Sequence, residues 1–260
     1  MADFPPQSQR FPYDAINPHR PPLTQKGRTV LVTGGSSGIG YAISRAFAEA
    51  SADRVIIVGR RHIALEEAYG SLKRELPAFQ GEIQRRLCDI SSLANIDHLW
   101  TAFAEEGISV DVVVLNAASF SVERPVLELG YLINLSTMAI YNSDASPNNL
   151  NYGASKNAAA LLLQMMARDV SADELQIVSY HPGPVLTQAA RDRGYDENTF
   201  PWTDVNVPGQ FAVWASSDEA KFLHGRFVHS NWDVNELQSG RARELIDADP
   251  NFLKIGVKGL

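Results

Sequence analysis

The chain has 260 residues, of which 45% are hydrophobic, which is enough to bury a complete core in one large domain. Its formal net charge of -7 argues against nucleic acid or an anionic membrane as a partner, because both are bound through an excess of lysine and arginine. The single cysteine, Cys88, excludes an intramolecular disulfide, and the lack of any membrane-length apolar run or secretion signal predicts a cytoplasmic location.

The N-terminal residues 1–26 form a proline-rich segment. Proline fixes φ and removes a backbone donor, which disfavours regular structure. Six prolines fall here, namely Pro5, Pro6, Pro12, Pro18, Pro21 and Pro22. We therefore interpret residues 1–26 as an extended arm that lies on a domain formed by residues 27–260.

From Gly27 onward, short β-branched runs alternate with longer amphipathic segments, which is typical of strand–helix–strand units. Several runs are almost continuously apolar, as strands covered by helices on both faces require. The predicted strands are 28–33, 54–59, 82–88, 111–116, 131–136, 175–181 and 225–230. The predicted helices are 41–50, 63–76, 95–106 and 152–169. This pattern predicts a single α/β domain with a doubly wound parallel sheet. In the last helix we expect an apolar stripe to face the core, formed by Ala158, Leu161, Leu162, Met165 and Met166.

The first strand runs through a glycine-rich turn into a helix, in VLVTGGSSGIGYAISRAFAEA. Its glycines permit close approaches that side chains would block, and they leave amide groups at the helix start free to hold a pyrophosphate. The spacing is G-x-x-x-G-x-G rather than G-x-G-x-x-G. A flexible turn would also explain the glycines, but their place between strand and helix favours a nucleotide site. That site would comprise Gly34, Ser36, Ser37, Gly38, Ile39 and Gly40.

The second strand ends in Gly59-Arg60-Arg61, where an NAD-selective site carries an acidic residue for the ribose 2′-hydroxyl. Arg60 instead offers a forked cation that suits a 2′-phosphate. We therefore predict NADP(H) rather than NAD(H). The alternative is that Arg60 and Arg61 are an ordinary solvated pair at a helix start.

The helix that begins NYGASK carries Tyr152 and Lys156 one turn apart on one face. A neighbouring ammonium favours the phenolate form of a tyrosine, which suits it to proton transfer. In isolation, this spacing is common by chance. Here it follows the glycine turn, a strand that ends in Asn116 and a strand that ends in Ser136-Thr137, so we interpret the pair as part of an active site.

These motifs together resemble the classical short-chain dehydrogenase/reductase family over nearly the whole chain. The matching segments are TGGSSGIG (33–40), CDI (88–90), NAAS (116–119), LINLST (132–137), YGASK (152–156) and HPGPVLT (181–187). The resemblance implies a Rossmann-type domain, bound NADP(H) and a small-molecule carbonyl or alcohol substrate. It also implies that hydride passes between the nicotinamide and a carbonyl carbon while Tyr152 supplies or removes the proton of the oxygen.

The resemblance implies roles for further residues. Lys156 would bind the nicotinamide ribose and hold the charge of Tyr152. Asp89 would touch the adenine ring, although it could instead cap the following helix, and Asn116 would support the cofactor behind the fourth strand. The nicotinamide would be fixed by Pro182, Gly183, Val185 and Thr187. The six histidines show no spacing typical of a metal site, so we expect no metal.

Two departures from the family pattern matter, and the first concerns a hydroxyl. Thr137 stands where the family has its catalytic serine, with Ser136 beside it. Strand alternation favours Thr137 as the inward-facing group that orients the substrate oxygen, and Ser136 is the alternative.

The second departure is the short connection 117–130 between the fourth and fifth strands. The family usually has a long helix here that carries a catalytic asparagine and packs against another subunit. The chain is then a truncated or spliced product, a protein whose arm or partner replaces the helix, or a member that has lost its proton relay. We expect cofactor binding to survive and turnover to weaken. A non-redox activity, such as a cyclase or lyase, or a cofactor-binding module is the alternative, and any homo-oligomer would assemble differently.

The loop at 186–207 follows the sixth strand and contains Tyr195, Phe200 and Trp202. These aromatic residues suit a bulky apolar ketone or alcohol, or alternatively anchor the loop to the core. The arm and the C-terminal segment resemble those of reductases from fungal secondary metabolism.

Overall fold

A computed structural model of the chain describes residues 8–116, 130–142, 144 and 150–256. In these residues, seven parallel strands form one sheet in the order β3-β2-β1-β4-β5-β6-β7. Each predicted strand is confirmed to within one residue at either end, and the fold is a single α/β domain of the Rossmann type. The strands are β1 (Thr29–Thr33), β2 (Arg54–Gly59), β3 (Glu82–Leu87), β4 (Val112–Leu115), β5 (Tyr131–Leu135), β6 (Gln176–His181) and β7 (Arg226–His229).

The described helices include the four predicted ones, each beginning one to three residues earlier than expected. They are α1 (Gly38–Glu49), α2 (His62–Glu75), α3 (Leu93–Glu105) and α4 (Leu150–Asp169). Four more were not predicted, namely α5 (Gln188–Arg191), α6 (Asn206–Ala215), α7 (Val234–Gln238) and α8 (Gly240–Ala248). None of these described helices combines the length and apolar character needed to cross a bilayer.

Successive residues of each strand point to opposite faces of the sheet, so the sheet has two hydrophobic cores. Val30 and Val32 pack with α1, α2 and α6, whereas Leu31 packs with α3 and α4. Helices α1 and α6 approach closely, because a Cβ atom at Gly209 would lie only 2.8 Å from the carbonyl oxygen of Ala42. The apolar runs of the strands are therefore explained by burial on both faces.

The prediction that the apolar stripe of α4 faces the core is wrong for several of its residues. Leu162 and Met165 are 58% and 55% exposed, and Leu161 is also exposed. The buried side of the helix is formed by Ala160 and Leu163 instead. The helix has apolar residues on more than one face, and the sheet can cover only one of them.

The connection between β4 and β5 lies outside the described residues except for Gly130. Its predicted shortness and lack of a covering helix therefore stay predictions. The two strands are direct parallel neighbours, with Val113 opposite Leu132.

The described part of the arm lies against the last third of the chain. Ser8 forms an antiparallel bridge with Trp232, and the Arg20 guanidinium forms a two-pronged ion pair with Glu219 at 2.8 and 2.9 Å. The hydroxyl of Tyr13 donates to the carbonyl oxygen of Trp232 at 3.1 Å and accepts from the amide of Val234 at 2.9 Å. The arm is thus hydrogen-bonded to the segment after β7.

We predict that Tyr13→Phe lowers the free energy of unfolding by about 1–3 kcal/mol, because it leaves two backbone groups without their partner. Burial raises the pKa of this hydroxyl far above its usual range, so it is an uncharged donor at neutral pH. Urea unfolding followed by circular dichroism measures the change. Tyr41→Phe is the control, since the hydroxyl of Tyr41 donates to Glu75 at the surface and its loss should cost less. Equal losses in the two variants would contradict this account.

Candidate active site

The glycine turn between β1 and α1 depends on a close backbone approach. Gly34 and Gly38 have φ values of +66° and +54°, which side chains disfavour. A Cβ atom at Gly40 would lie 2.2 Å from the carbonyl oxygen of Gly34 and 2.6 Å from Nδ2 of Asn116. Asn116 donates to the carbonyl oxygens of Thr33 and Gly34 at 2.9 and 3.3 Å. The predicted residues of the turn and Asn116 are therefore adjacent, and Asn116 ties β4 to the turn.

A cavity of about 320 Å³ lies beside this turn. It brings together five predicted residues, namely Gly34, Ser36, Ser37, Arg60 and Asp89. Six other lining residues were not predicted as part of the site, namely Val58, Gly59, Arg61, Cys88, Ile90 and Ser91.

Asp89 is held at the cavity by its neighbours. Its carboxylate accepts from the amide and the hydroxyl of Ser91, at 3.0 and 2.7 Å. These hydrogen bonds, and the nearby charge of Arg60, lower the pKa of Asp89. The alternative that Asp89 caps the following helix is wrong, because Ser92 accepts the capping bond from Asn95. An Asp-x-Ser spacing is typical of this local turn and would have pointed to Ser91.

A second group of predicted residues lies at the carboxyl end of β5. The ammonium of Lys156 donates to the carbonyl oxygen of Leu135 at 2.7 Å, and the residue is only 7% exposed. Burial lowers the pKa of Lys156 to about 8. Tyr152 is half-buried one turn earlier on the same helix.

The two candidate hydroxyls, Ser136 and Thr137, are both buried but differ in their bonding. Thr137 accepts from the amide of Ala139 at 3.3 Å and so caps the short 3₁₀ helix Met138–Ile140. The Ser136 hydroxyl has no hydrogen-bond partner among the described residues. A buried polar group in that state calls for an explanation, such as a bound ligand or water.

The segment after β6 closes over the glycine turn. Gly183 has a φ of +79°, and a Cβ atom there would lie 2.7 Å from the hydroxyl oxygen of Thr203. Thr187 caps α5 through the amide of Ala190 at 3.3 Å, and its methyl carbon lies 3.5 Å from where a Cβ atom at Gly38 would be. Thr187 and the glycine turn are therefore neighbours, while Pro182 and Val185 are partly exposed beside them.

The aromatic residues of the following loop pack on one another. The rings of Tyr195, Phe200 and Trp202 have centroids 5.2 to 6.4 Å apart, and the Trp202 indole donates to the carbonyl oxygen of Asp196 at 2.7 Å. Tyr195 is 39% exposed and Phe200 is 47% exposed, so these rings are not buried in the core. Over the described ranges, no three His, Cys, Asp or Glu side chains are grouped closely enough to share a metal ion.

Proteins of known sequence similar to this chain include two from fungi. Residues 28–130 match the family described as short chain dehydrogenase. The short chain dehydrogenase/reductase AacuD of Aspergillus aculeatus is 32% identical over 268 aligned residues, which cover 94% of this chain and 93% of that protein. The short chain dehydrogenase/reductase nsrO of Aspergillus novofumigatus is 33% identical over 276 residues, with the same two coverages.

Solved structures show the same fold at lower identity. The Pseudomonas aeruginosa RhlG/NADP active-site complex is 22% identical, with a TM-score of 0.67 over 81% of this chain and 97% of that one. L-sorbose reductase from Gluconobacter frateurii, solved with NADPH and L-sorbose, is 20% identical, with a TM-score of 0.66 over 80% and 96%. Near-complete coverage by relatives above 30% identity confirms the resemblance found in the sequence: the chain belongs to the short-chain dehydrogenase/reductase family.

Proposed function

We propose that this protein is an NADP(H)-dependent oxidoreductase that interconverts a ketone or aldehyde and an alcohol. The observation that carries the proposal is the buried ammonium of Lys156, held at the carbonyl oxygen of Leu135 one helical turn after Tyr152. Burial of a charged lysine costs free energy, so a buried ammonium calls for a function that offsets this cost. Here it lies one helical turn from a tyrosine, at the edge of the sheet where parallel α/β folds bind ligands, and this favours a role in catalysis.

The described residues fit a dinucleotide with a 2′-phosphate. Gly34 and Gly38 adopt positive φ values, and Gly40 lets α1 begin directly against the end of β1. A pyrophosphate would bind at this helix start, where helix amides and the helix dipole favour an anion. Arg60 at the adjoining cavity offers a bidentate cation to the 2′-phosphate. Two similar structures were solved with NADP or NADPH, which supports the same choice. Once bound, NADPH supplies the hydride for reduction of the carbonyl carbon.

The chain's own residues manage the proton and the position of the substrate. Tyr152 donates its hydroxyl proton to the substrate oxygen as charge develops there, and the Lys156 ammonium stabilises the phenolate that is left. Thr137 donates a second hydrogen bond to the same oxygen, with Ser136 as the alternative donor. In the alcohol-oxidising direction, Tyr152 takes the proton back.

The segment after β6 completes the proposed site. Pro182, Gly183, Val185 and Thr187 would line the nicotinamide, since Thr187 lies over the glycine turn. The exposed rings of Tyr195 and Phe200 in the following loop favour a bulky apolar ketone or alcohol.

Tyr152→Phe should lower kcat for NADPH-dependent reduction of ketones by about a hundredfold or more, because a positioned proton donor contributes that much. The Kd for NADPH should stay within about twofold, since the aromatic ring remains. Loss of NADPH absorbance with a ketone panel gives kcat, and fluorescence titration gives Kd. Tyr195→Phe is the matched control and should keep the wild-type rate on small ketones. Equal rates for wild type and Tyr152→Phe would remove Tyr152 from the mechanism.

The buried position of Lys156 predicts a pH dependence. Its pKa of about 8 means that the ammonium is present at neutral pH and is lost as the pH rises through 8. We expect kcat/KM for ketone reduction to fall above about pH 8, by up to tenfold per pH unit. In Lys156→Arg the fall of kcat/KM should begin at a higher pH, because a guanidinium keeps its charge. This shift is expected even if the highest kcat/KM of the variant is lower than that of the wild type. A fall that stays near pH 8 in Lys156→Arg would contradict the assignment.

Arg60→Ala should weaken NADPH binding by about tenfold or more, because charge-assisted hydrogen bonds to a phosphate contribute about 1.5–3 kcal/mol. NADH lacks the 2′-phosphate, so its Kd should change by less than about twofold. Calorimetric titration with both cofactors measures the two effects. Arg241→Ala, on the exposed face of α8, is the control and should change neither Kd. Tighter binding of NADH than of NADPH by the wild-type chain would overturn the cofactor assignment.

A further inference from the structure

An aromatic cluster lies at the carboxyl ends of β6 and β7, beside the proposed site. The ring of His229 stacks on Trp232, with centroids 4.6 Å apart and planes within 3° of parallel. It also meets the edge of His181 at 4.9 Å, and its Nε2 atom lies 2.7 Å from the hydroxyl oxygen of Tyr141. Phe227 packs edge-on against Tyr141 at 5.8 Å. We call these five residues the β6–β7 aromatic cluster.

Tyr141 is the exposed member of this cluster, with 60% of its surface accessible to solvent. A surface tyrosine ordinarily samples several rotamers, and ordering it on binding costs conformational entropy. Here the bond to His229 and the contact with Phe227 already hold the ring in one orientation. An exposed aromatic ring that is fixed in advance is a preorganised binding surface.

The bond between Tyr141 and His229 does not switch with pH near neutrality. Burial lowers the pKa of His229 to about 4, and burial together with His229 lowers the pKa of His181 to about 3. Both imidazoles are therefore neutral from about pH 5 to 8. Burial also raises the pKa of Tyr141, so its hydroxyl keeps its proton over this range.

The turn that carries Tyr141 is fastened to the helix of the proposed proton donor. The side chain of Asn157 donates to the carbonyl oxygen of Ile140 at 2.8 Å. A Cβ atom at Gly153 would lie 3.1 Å from the carbonyl oxygen of Ala139, so the turn and α4 approach closely. Gly153 directly follows the proposed proton donor in sequence. The ring of Tyr141 is thus held at the sheet edge where parallel α/β folds bind their ligands.

We propose that Tyr141 is a specificity-determining residue whose ring packs against a planar, ring-bearing ketone, and that His229 is a positioning residue that holds Tyr141 by its hydroxyl. The inference rests on the proposed function, because it assigns a contact to the substrate of that reaction. Aromatic rings attract one another in edge-to-face and offset arrangements. A small aliphatic ketone has no ring to offer, so Tyr141 favours ring-bearing substrates over it.

The test compares 2-tetralone, a fused-ring ketone, with 2-butanone, a small aliphatic one. Tyr141→Ala should raise KM for 2-tetralone by about tenfold, with kcat and the KM for 2-butanone changed by less than about twofold. The Kd of 2-tetralone for the chain loaded with NADP⁺, measured by calorimetry, should weaken by the same factor. Tyr69→Ala is the matched control, because Tyr69 lies at the opposite edge of the sheet against Arg85 of β3. It should leave both constants unchanged.

Three further variants distinguish a positioning role of His229 from a purely structural one. His229→Leu removes the partner of the Tyr141 hydroxyl and should raise KM for 2-tetralone by about threefold, as should Tyr141→Phe. His229→Gln keeps a hydrogen-bonding group at this position and should bring KM back to within about twofold of wild type. A purely structural role would lower the melting temperature of His229→Leu without moving KM, and that result would overturn the role of His229.

Failure of this inference and failure of the proposed function give different results. The inference is overturned if 2-tetralone has the same KM and Kd in wild type and Tyr141→Ala, or if the wild-type chain reduces 2-butanone but does not bind 2-tetralone. The proposed function fails if the wild-type chain does not bind NADPH or reduces no ketone of the panel. In that case the Kd of 2-tetralone is measured on the chain without cofactor. An unchanged Kd in Tyr141→Ala, or no binding to the wild-type chain, again overturns the inference.

Discussion

A single steric limit at Gly40 determines how the ligand-binding edge of this protein is built. Because no side chain fits between residue 40 and the carbonyl oxygen of Gly34, α1 can begin directly against the end of β1. Asn116 donates to the same carbonyl and thereby holds β4 in place beside the turn. The cavity with Arg60 and Asp89 opens next to this junction. The backbone of the glycine turn shapes one side of this cavity, and the side chains of Arg60 and Asp89 place charges in it.

Two separate groups of candidate site residues lie at the carboxyl ends of the strands. The end of β1 offers backbone amides and the end of β2 offers the cation of Arg60, and together they suit a phosphorylated ligand. The end of β5 offers a buried ammonium near a tyrosine and two hydroxyls. Parallel strands bring these ends to one side of the sheet, although the residues are far apart in the chain. Thr187 follows β6, the neighbour of β5, and lies beside Gly38 of the glycine turn. The order of the strands therefore assembles the site.

The sequence predicted the strands and the glycine turn because their signals are local. Apolar runs identify buried strands, and glycine spacing identifies a turn that needs close approach. Helix α6 escaped prediction because nearly all of its residues are buried, so its sequence shows no period of 3.6. The exposure of Met165 was not predicted, because the helical period shows which residues share a face of α4 but not whether that face contacts the sheet or solvent. The bond between Tyr141 and His229 joins residues 88 positions apart, and no local pattern reports such a pair.

The arm also bears on how the chain folds during synthesis. Its partners lie about 200 residues downstream: Gln9 bonds to Asp233, and Arg20 to Glu219. A ribosome that adds about 5 to 20 residues per second needs on the order of 10 to 40 s to produce those partners. Until then Gln9 and Arg20 lack these partners, and the prolines of the arm keep it from pairing with nascent strands. These contacts of the arm therefore form late, and the contact of Gln9 with Asp233 forms only after β7 has been synthesised.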